Sequence, residues 1–212
     1  MRKNAPFYGR SGHEFGPFSV SMRSGRALTP RGTTRVVPQW QRSKGQVILT
    51  GALELSTNQL THFYSKTKNS DEMITLLELL VRQYSGQFCL YLSWDAASWH
   101  LSTKLTDRVA EINRDAETRN GGIPIVKLVP LPTSAQFLNV IESVFSGMAK
   151  AILHNSDYDS VDECKAATDN YLEERNEAYQ RNPRRAGNKI WGKELVAPCF
   201  SPSNNCKDPN WR

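Results

Sequence analysis

Two short apolar runs, FCLYLSW (88–94) and IPIVKLVPL (123–131), constrain this chain most, because each follows a segment of helical period. Before the first run, Asn69, Ser70 and Asp71 offer N-caps, and Met73, Leu77, Leu80 and Tyr84 recur at helical spacing, with Ile74 and Val81 widening the stripe. Between the runs, Leu105, Val109, Ile112 and Ala116 mark a second amphipathic helix, which Gly121-Gly122 ends. Strand, helix, strand in that order is the parallel crossover, and runs this apolar read as strands buried on both faces.

The upstream pattern differs. Alternation over Phe15–Met22, the run QVILTGALEL (46–55) and Leu60–Ser65 read as three strands joined antiparallel. Between the first two, Pro30 and Pro38 exclude a central strand, leaving Thr33–Val37 as a short edge strand. Downstream, Thr133 or Ser134 caps a third helix with the apolar lane Phe137, Ile141, Phe145, Met148 and Ile152. Ser160 and Glu163 form a capping box that opens a fourth helix reaching about Tyr179. The expected fold is α/β: a mixed sheet of three antiparallel strands followed by two parallel ones, with flanking helices. Residues 1–13 lack either period and are expected to be irregular, and 181–212 form a basic tail rich in Pro, Gly and Asn.

Length and composition agree with one domain plus tails: 212 residues, 39% hydrophobic and 23% charged. No run is long and apolar enough to cross a bilayer, and the first residues have no apolar signal core, so neither a membrane span nor a secretory leader is expected. The four cysteines are too scattered for a disulfide framework or a zinc site, which suits the reducing cytoplasm. The net charge of +6 favours a polyanionic partner without proving one. Its basic residues gather in the first 45 positions and again in 181–193.

Asp95 directly follows the first apolar run, where open α/β sheets place functional groups; as a plain alternative it caps the helix that follows. Glu142 lies in or beside the apolar lane of the third helix, so its carboxylate demands a partner. A buried Arg would serve, and so would a divalent ion shared with Asp95, since Mg²⁺ prefers carboxylate oxygen. His100 either orients a water or phosphate near such an ion or is a capping side chain. Trp94 and Trp99 read as core, and His62 and His154 as structural. No P-loop, G-x-G-x-x-G or G-x-S-x-G motif is present.

The stretches YLSWDAASWH (91–100) and AQFLNVIESVFSGMAKAILHNSDY (135–158) resemble the DDE transposases of bacterial insertion sequences, in the mariner-type superfamily. EFGPF (14–18), KGQVILTGALEL (44–55), THFYSKTKNSDEM (61–73) and NPRRAGNKIWGKE (182–194) extend the likeness over about residues 14–195. The resemblance implies a ribonuclease-H-like catalytic domain over residues 14–180, holding two Mg²⁺ or Mn²⁺ ions for DNA hydrolysis and strand transfer at transposon ends. It assigns Asp95 and Glu142 as the second and third acidic ligands. Such chemistry needs carboxylates converging from separate elements on one pocket.

Two departures stand out. The family's first catalytic Asp precedes the Glu of E-F-G-P-F, and here that position is His13. An imidazole is a poor Mg²⁺ ligand and cannot bridge two ions, while Glu14 points to the opposite face of an alternating strand. The helix-turn-helix region of family members also has no match in the first residues, which suggests an N-terminally truncated copy. The resulting expectation is a transposase catalytic domain with impaired activity, in which Lys66, Lys68, Arg184, Arg185 and Lys189 contact DNA phosphates. Partners implied are transposon-end and target DNA, and a second copy or a full-length transposase. The alternative is a non-catalytic module that binds DNA or inhibits an intact transposase.

Overall fold

The computed structural model describes residues 8–25, 30–95, 97, 100, 102–118, 122–131 and 138–187. Five strands form one sheet: β1 (Tyr8–Ser19), β2 (Gln46–Glu54), β3 (Leu60–Ser65), β4 (Cys89–Ser93) and β5 (Ile125–Leu128). Their order is β3-β2-β1-β4-β5. The first three pair antiparallel, whereas β4 pairs parallel with β1 and β5 parallel with β4. The mixed topology expected from the sequence is therefore present.

The first strand departs from expectation. It begins at Tyr8, inside the stretch expected to be irregular, and ends at Ser19 rather than Met22. Pairing is the reason: Tyr8 to Ser11 lie opposite Leu90 to Ser93, and Arg10 to His13 lie opposite Glu54 to Gly51. With ladders on both sides, a Gly- and Ser-containing segment of weak strand propensity is extended by its neighbours. No strand forms over 33–37. Arg35 ties that segment down instead, through its guanidinium to the Asn155 and Ser156 carbonyls.

Helices cover both faces. On one side α1 (Ser70–Gln83) and α2 (Thr103–Thr118) present Met73, Leu76, Leu77, Leu80, Leu105, Val109 and Ile112 to Leu90, Leu92 and Val126. Asn69 caps α1, its side chain accepting from the Glu72 amide at 3.0 Å. The other face carries α3 (Val140–Met148), whose last turn widens to π geometry over Ala149–Leu153, and α4 (Val161–Arg181). There Ile141, Phe145, Met148 and Leu172 pack on Leu49 and Leu53. Of the lane expected of the third helix, Ile141, Phe145 and Met148 are buried and Ile152 partly so, while Phe137 and the expected caps Thr133 and Ser134 lie outside the described residues. Ser160 caps α4 as expected, its Oγ accepting from the Glu163 amide at 3.1 Å, while the Glu163 carboxylate accepts from the amide of Asp159, one residue before the cap, at 2.5 Å.

The two parallel strands are shorter and less enclosed than their apolar runs suggest. In β4 only Leu90 and Leu92 are fully buried, and in the edge strand β5 the exposed Lys127 lies 5.5 Å over the Tyr91 ring. Full enclosure would need both helical layers to extend to this edge, and α3 and α4 pack on β1 and β2 instead.

Candidate active site

The sheet register builds the site. Ser11 of β1 lies opposite Ser93 of β4 in a parallel pair. Two residues further along each chain stand His13 and Asp95, so the imidazole and the carboxylate meet, His13 Nδ1 lying 3.5 Å from Asp95 Oδ2. Alternation along β1 points His13 toward the α3 face, its ring 6.3 Å from that of Phe145. In the first turn of α3, Glu142 reaches back to the same ring, Oε1 standing 4.0 Å from His13 Nε2. Gly51, paired with His13, leaves room for the Phe145 ring, since a Cβ there would lie 3.4 Å from it and 3.0 Å from the Thr61 carbonyl.

Each carboxylate is held by a relay that begins on β1. Ser11 Oγ donates to Asn139 Oδ1 at 2.7 Å, and Asn139 Nδ2 donates to Glu142 Oε1 at 3.0 Å. On the other face of the strand, Glu14 Oε2 is 3.3 Å from His100 Nε2, and His100 Nδ1 is 2.6 Å from Asp95 Oδ1. Asp95 also accepts from the Ala97 amide at 3.2 Å, the local turn expected of an Asp after a strand. His100 is wholly buried and stacks on the buried Trp94, ring centroids 5.6 Å apart.

These surroundings set the protonation of the two histidines. Burial lowers the His13 pKa below the ordinary histidine value, outweighing the pull of Asp95, Glu142 and Glu14, and Lys68 acts in the same direction. His13 is accordingly neutral near pH 7. For His100 burial acts the same way, but the hydrogen bond and charge of Glu14, with Asp95, overcome it and raise the pKa.

Glu142 is less buried than its helical position implied: its side chain is 43% exposed, and Asn139 is its hydrogen-bond partner. Asp95 is 29% exposed, so water reaches both carboxylates. Glu14, by contrast, faces the opposite side of β1, as alternation required, and is 2% exposed. Among the described residues no three His, Cys, Asp or Glu side chains already stand at metal-ligand geometry. His13 Nδ1 is nonetheless buried without a hydrogen-bond partner beside Asp95. This donor set, an imidazole with Asp95 beside Nδ1 and Glu142 beside Nε2, does not converge on one ion as it stands. It does not fit a bridged Mg²⁺ pair, for which a third carboxylate is missing.

Of the basic residues expected to meet DNA, Lys68 is nearest the site, its Nζ 3.5 Å from the Glu14 carbonyl, and Lys66 is exposed just before it. Arg184 and Arg185 lie elsewhere. The Ala186 amide bonds to the Leu55 carbonyl at 2.8 Å, beyond the Glu54 end of β2. Since Glu54 pairs with Arg10, that end lies about three to four residues, or roughly 10–13 Å, along the sheet from His13. Lys189 and Trp99 fall outside the described residues. His62, expected to be structural, pairs with Asp169 of α4 at 2.9 Å, and Tyr64 donates to the same carboxylate at 2.7 Å.

Sequence reasoning missed Ser11 and Asn139. An available signal was the i, i+3 spacing of Asn139 and Glu142, which puts an amide beside a carboxylate at a helix start.

A family model described as DDE superfamily endonuclease matches residues 14–165, beginning one residue past His13. The chain belongs to that family. Its fold is similar to Mos1 transposase in a paired-end complex with the left transposon end, at 19% identity and a TM-score of 0.56, covering 82% of this chain and 50% of that one. A Mos1 paired-end complex with Mg gives 17% identity and a TM-score of 0.57, again over 82% and 50%. The catalytic domain of Mos1 mariner transposase gives 18% and 0.52, covering 82% of this chain and 74% of that one. The chain spans about half the length of the Mos1 chains in the paired-end complexes. No curated protein matches it in sequence. The likeness identifies the sheet and its helices as ribonuclease-H-like.

Proposed function

We propose that this chain is a transposase catalytic domain for metal-dependent DNA cleavage and strand transfer at transposon ends, and that His13 impairs that activity here. One observation carries the reading: β1, β4 and α3 bring His13, Asp95 and Glu142 to one solvent-reached point. Asp95 and Glu142 are the residues to hold an ion. When bound at such a centre, a divalent ion activates an attacking water or 3′-hydroxyl and stabilises the leaving oxygen. The protein's own part is orientation, with His100 fixing one oxygen of Asp95 and Asn139 fixing Glu142.

Lys68 is the first candidate for a contact to DNA phosphates, with Lys66, Arg184, Arg185 and Lys189 a second group. Transposon-end and target DNA are the proposed substrates, a second copy or full-length transposase the protein partner, and the cytoplasm the place of action. Among the described residues no helix is long and apolar enough to cross a membrane.

The test is nicking of supercoiled DNA in Mg²⁺ and Mn²⁺ by the chain, by His13→Asp, and by Asp95→Ala as background. Cleavage by His13→Asp alone is the expected result. Cleavage by the unaltered chain above Asp95→Ala would remove the claim of impairment. His13 also favours a second reading, a non-catalytic DNA-binding or transposase-inhibiting module. Salt-sensitive DNA retention with no cleavage by any form would select it.

A further inference from the structure

We infer that Asn113 of α2 is a lock on the outer edge of β5, and that it keeps this edge from pairing with the same strand of a second copy of the chain. The sheet ends at β5, so one side of that strand has no strand neighbour. The Ile125 and Val129 amides donate inward, to the carbonyls of Phe88, just before β4, and of Leu92 at 3.1 and 2.7 Å. By alternation, Val126 and Leu128 turn their backbone groups outward. Both groups of Val126 are taken by one side chain. Its amide donates to Asn113 Oδ1 at 2.7 Å, and its carbonyl accepts from Asn113 Nδ2 at 2.9 Å. A carboxamide used in this way imitates the backbone of a neighbouring strand. Asn is a weak residue for the middle of a helix, and Leu or Ala would serve α2 better. What Asn brings is a donor and an acceptor on one short side chain.

The opposite edge of the sheet repeats the device. In α4, Asn176 Oδ1 accepts from the Leu60 amide at 2.9 Å and Nδ2 donates to the Leu60 carbonyl at 2.8 Å. There the cover continues, because His62 and Tyr64 of β3 both bond Asp169 of the same helix. Along β5, Asn113 is the one side chain among the described residues that bonds the strand's backbone. Lys127, whose charge could repel another strand, leans back over the Tyr91 ring. The strand is flanked by exposed apolar side chains, Phe88 at 71% and Val129 at 47%. Free backbone groups between exposed apolar residues favour strand addition. A second copy fits as the partner, because two β5 edges pair antiparallel about a twofold axis, each offering Val126 and Leu128 to the other.

Two measurements on the purified full chain test this. The first is native-state amide hydrogen exchange of the unaltered protein. Corrected for intrinsic rates, the Val126 amide should exchange about tenfold more slowly, or slower still, than that of Leu128, its outward neighbour. The second is molar mass by light scattering after size exclusion, over a range of concentrations. Asn113→Leu keeps the size of the side chain and removes both bonds. Its mass should climb with concentration toward twice that of the unaltered chain, and its Val126 amide should lose its protection in dilute solution. Val109→Ala, on the same helix, weakens the core without touching the edge and should leave the mass unchanged. Equal exchange of the two amides in the unaltered chain overturns the inference. So does an unchanged mass for folded Asn113→Leu, or an equal rise for Val109→Ala. The exchange comparison needs no variant, so it decides the matter if Asn113→Leu fails to fold.

Discussion

Removing the imidazole of His100 tests whether the relay behind Asp95 is an energetic unit. In His100→Ala, the Glu14 carboxylate, 2% exposed, loses an ion pair at 3.3 Å with a side chain that is wholly buried. Breaking one partner of a buried pair costs about 3–5 kcal/mol, a large part of the 5–15 kcal/mol that holds a typical domain. With a urea slope near 3 kcal/mol per molar, as for larger domains, the unfolding midpoint should drop by about 1.0–1.7 M. The pair's share is isolated by adding Glu14→Leu, which removes the buried charge. If the ion pair is the cause, the double variant is more stable than the sum of the single losses by about 1–3 kcal/mol. Equilibrium urea unfolding followed by tryptophan fluorescence gives all four stabilities. Strictly additive losses, or a His100→Ala cost under about 1 kcal/mol, would refute the coupling.

Three further outcomes are expected. Deleting residues 1–11 removes every β1 partner of β4 and should abolish cooperative thermal unfolding; an unchanged melt would show that β4 needs only β5. Tyr64 has its pKa raised from the ordinary 10.0, first by burial and then by Asp169. The folded phenol thus keeps its proton longer than the unfolded one, so its stabilising share is full below pH 10 and is lost as pH rises further. In Tyr64→Phe the decline of stability above pH 10 should be shallower, and an identical slope in urea melts across pH 9–11 would contradict this. Finally, in the His13→Asp background, Asn139→Ala should reduce nicking by about 10–100-fold when assayed well below its lowered melting temperature, because the amide orients Glu142. Equal rates would show that Glu142 needs no such support.

The sequence disclosed the elements whose own residues specify them. Asn69 and Ser160 cap α1 and α4 as their spacing required, and Leu77 and Leu80, or Phe145 and Met148, lie on the buried faces. The first strand was only half legible, since Gly9, Ser11 and Gly12 carry no strand signal and are extended by pairing with β2 and β4. That loss hid more than a boundary. With residues 1–13 read as irregular, neither Ser11 nor the Ser11 to Ser93 register was accessible, and the register is what sets His13 against Asp95. The positions of Asp95 after β4 and of Glu142 on α3 were legible from periodicity, and their proposed role comes from family likeness. Their restraints, His100 through Glu14 and Asn139 through Ser11, depend on contacts between residues far apart in the chain.

On the proposed reading a charge is missing at His13, and because β1 is central and laddered on both sides it has few routes of repair. The nearest carboxylate in sequence is Glu14, and bringing it forward requires the strand to slip by one residue. Such a slip turns over every side chain of the strand, carrying Phe15 out of its contact with Phe145. Insertions and deletions are thereby closed as ways of restoring the acidic set. Substitution at position 13 is not, and the genetic code separates histidine from aspartate by one base. The same strand that forbids a sliding rescue therefore keeps the centre one mutation from a full carboxylate set, with both relays already in place.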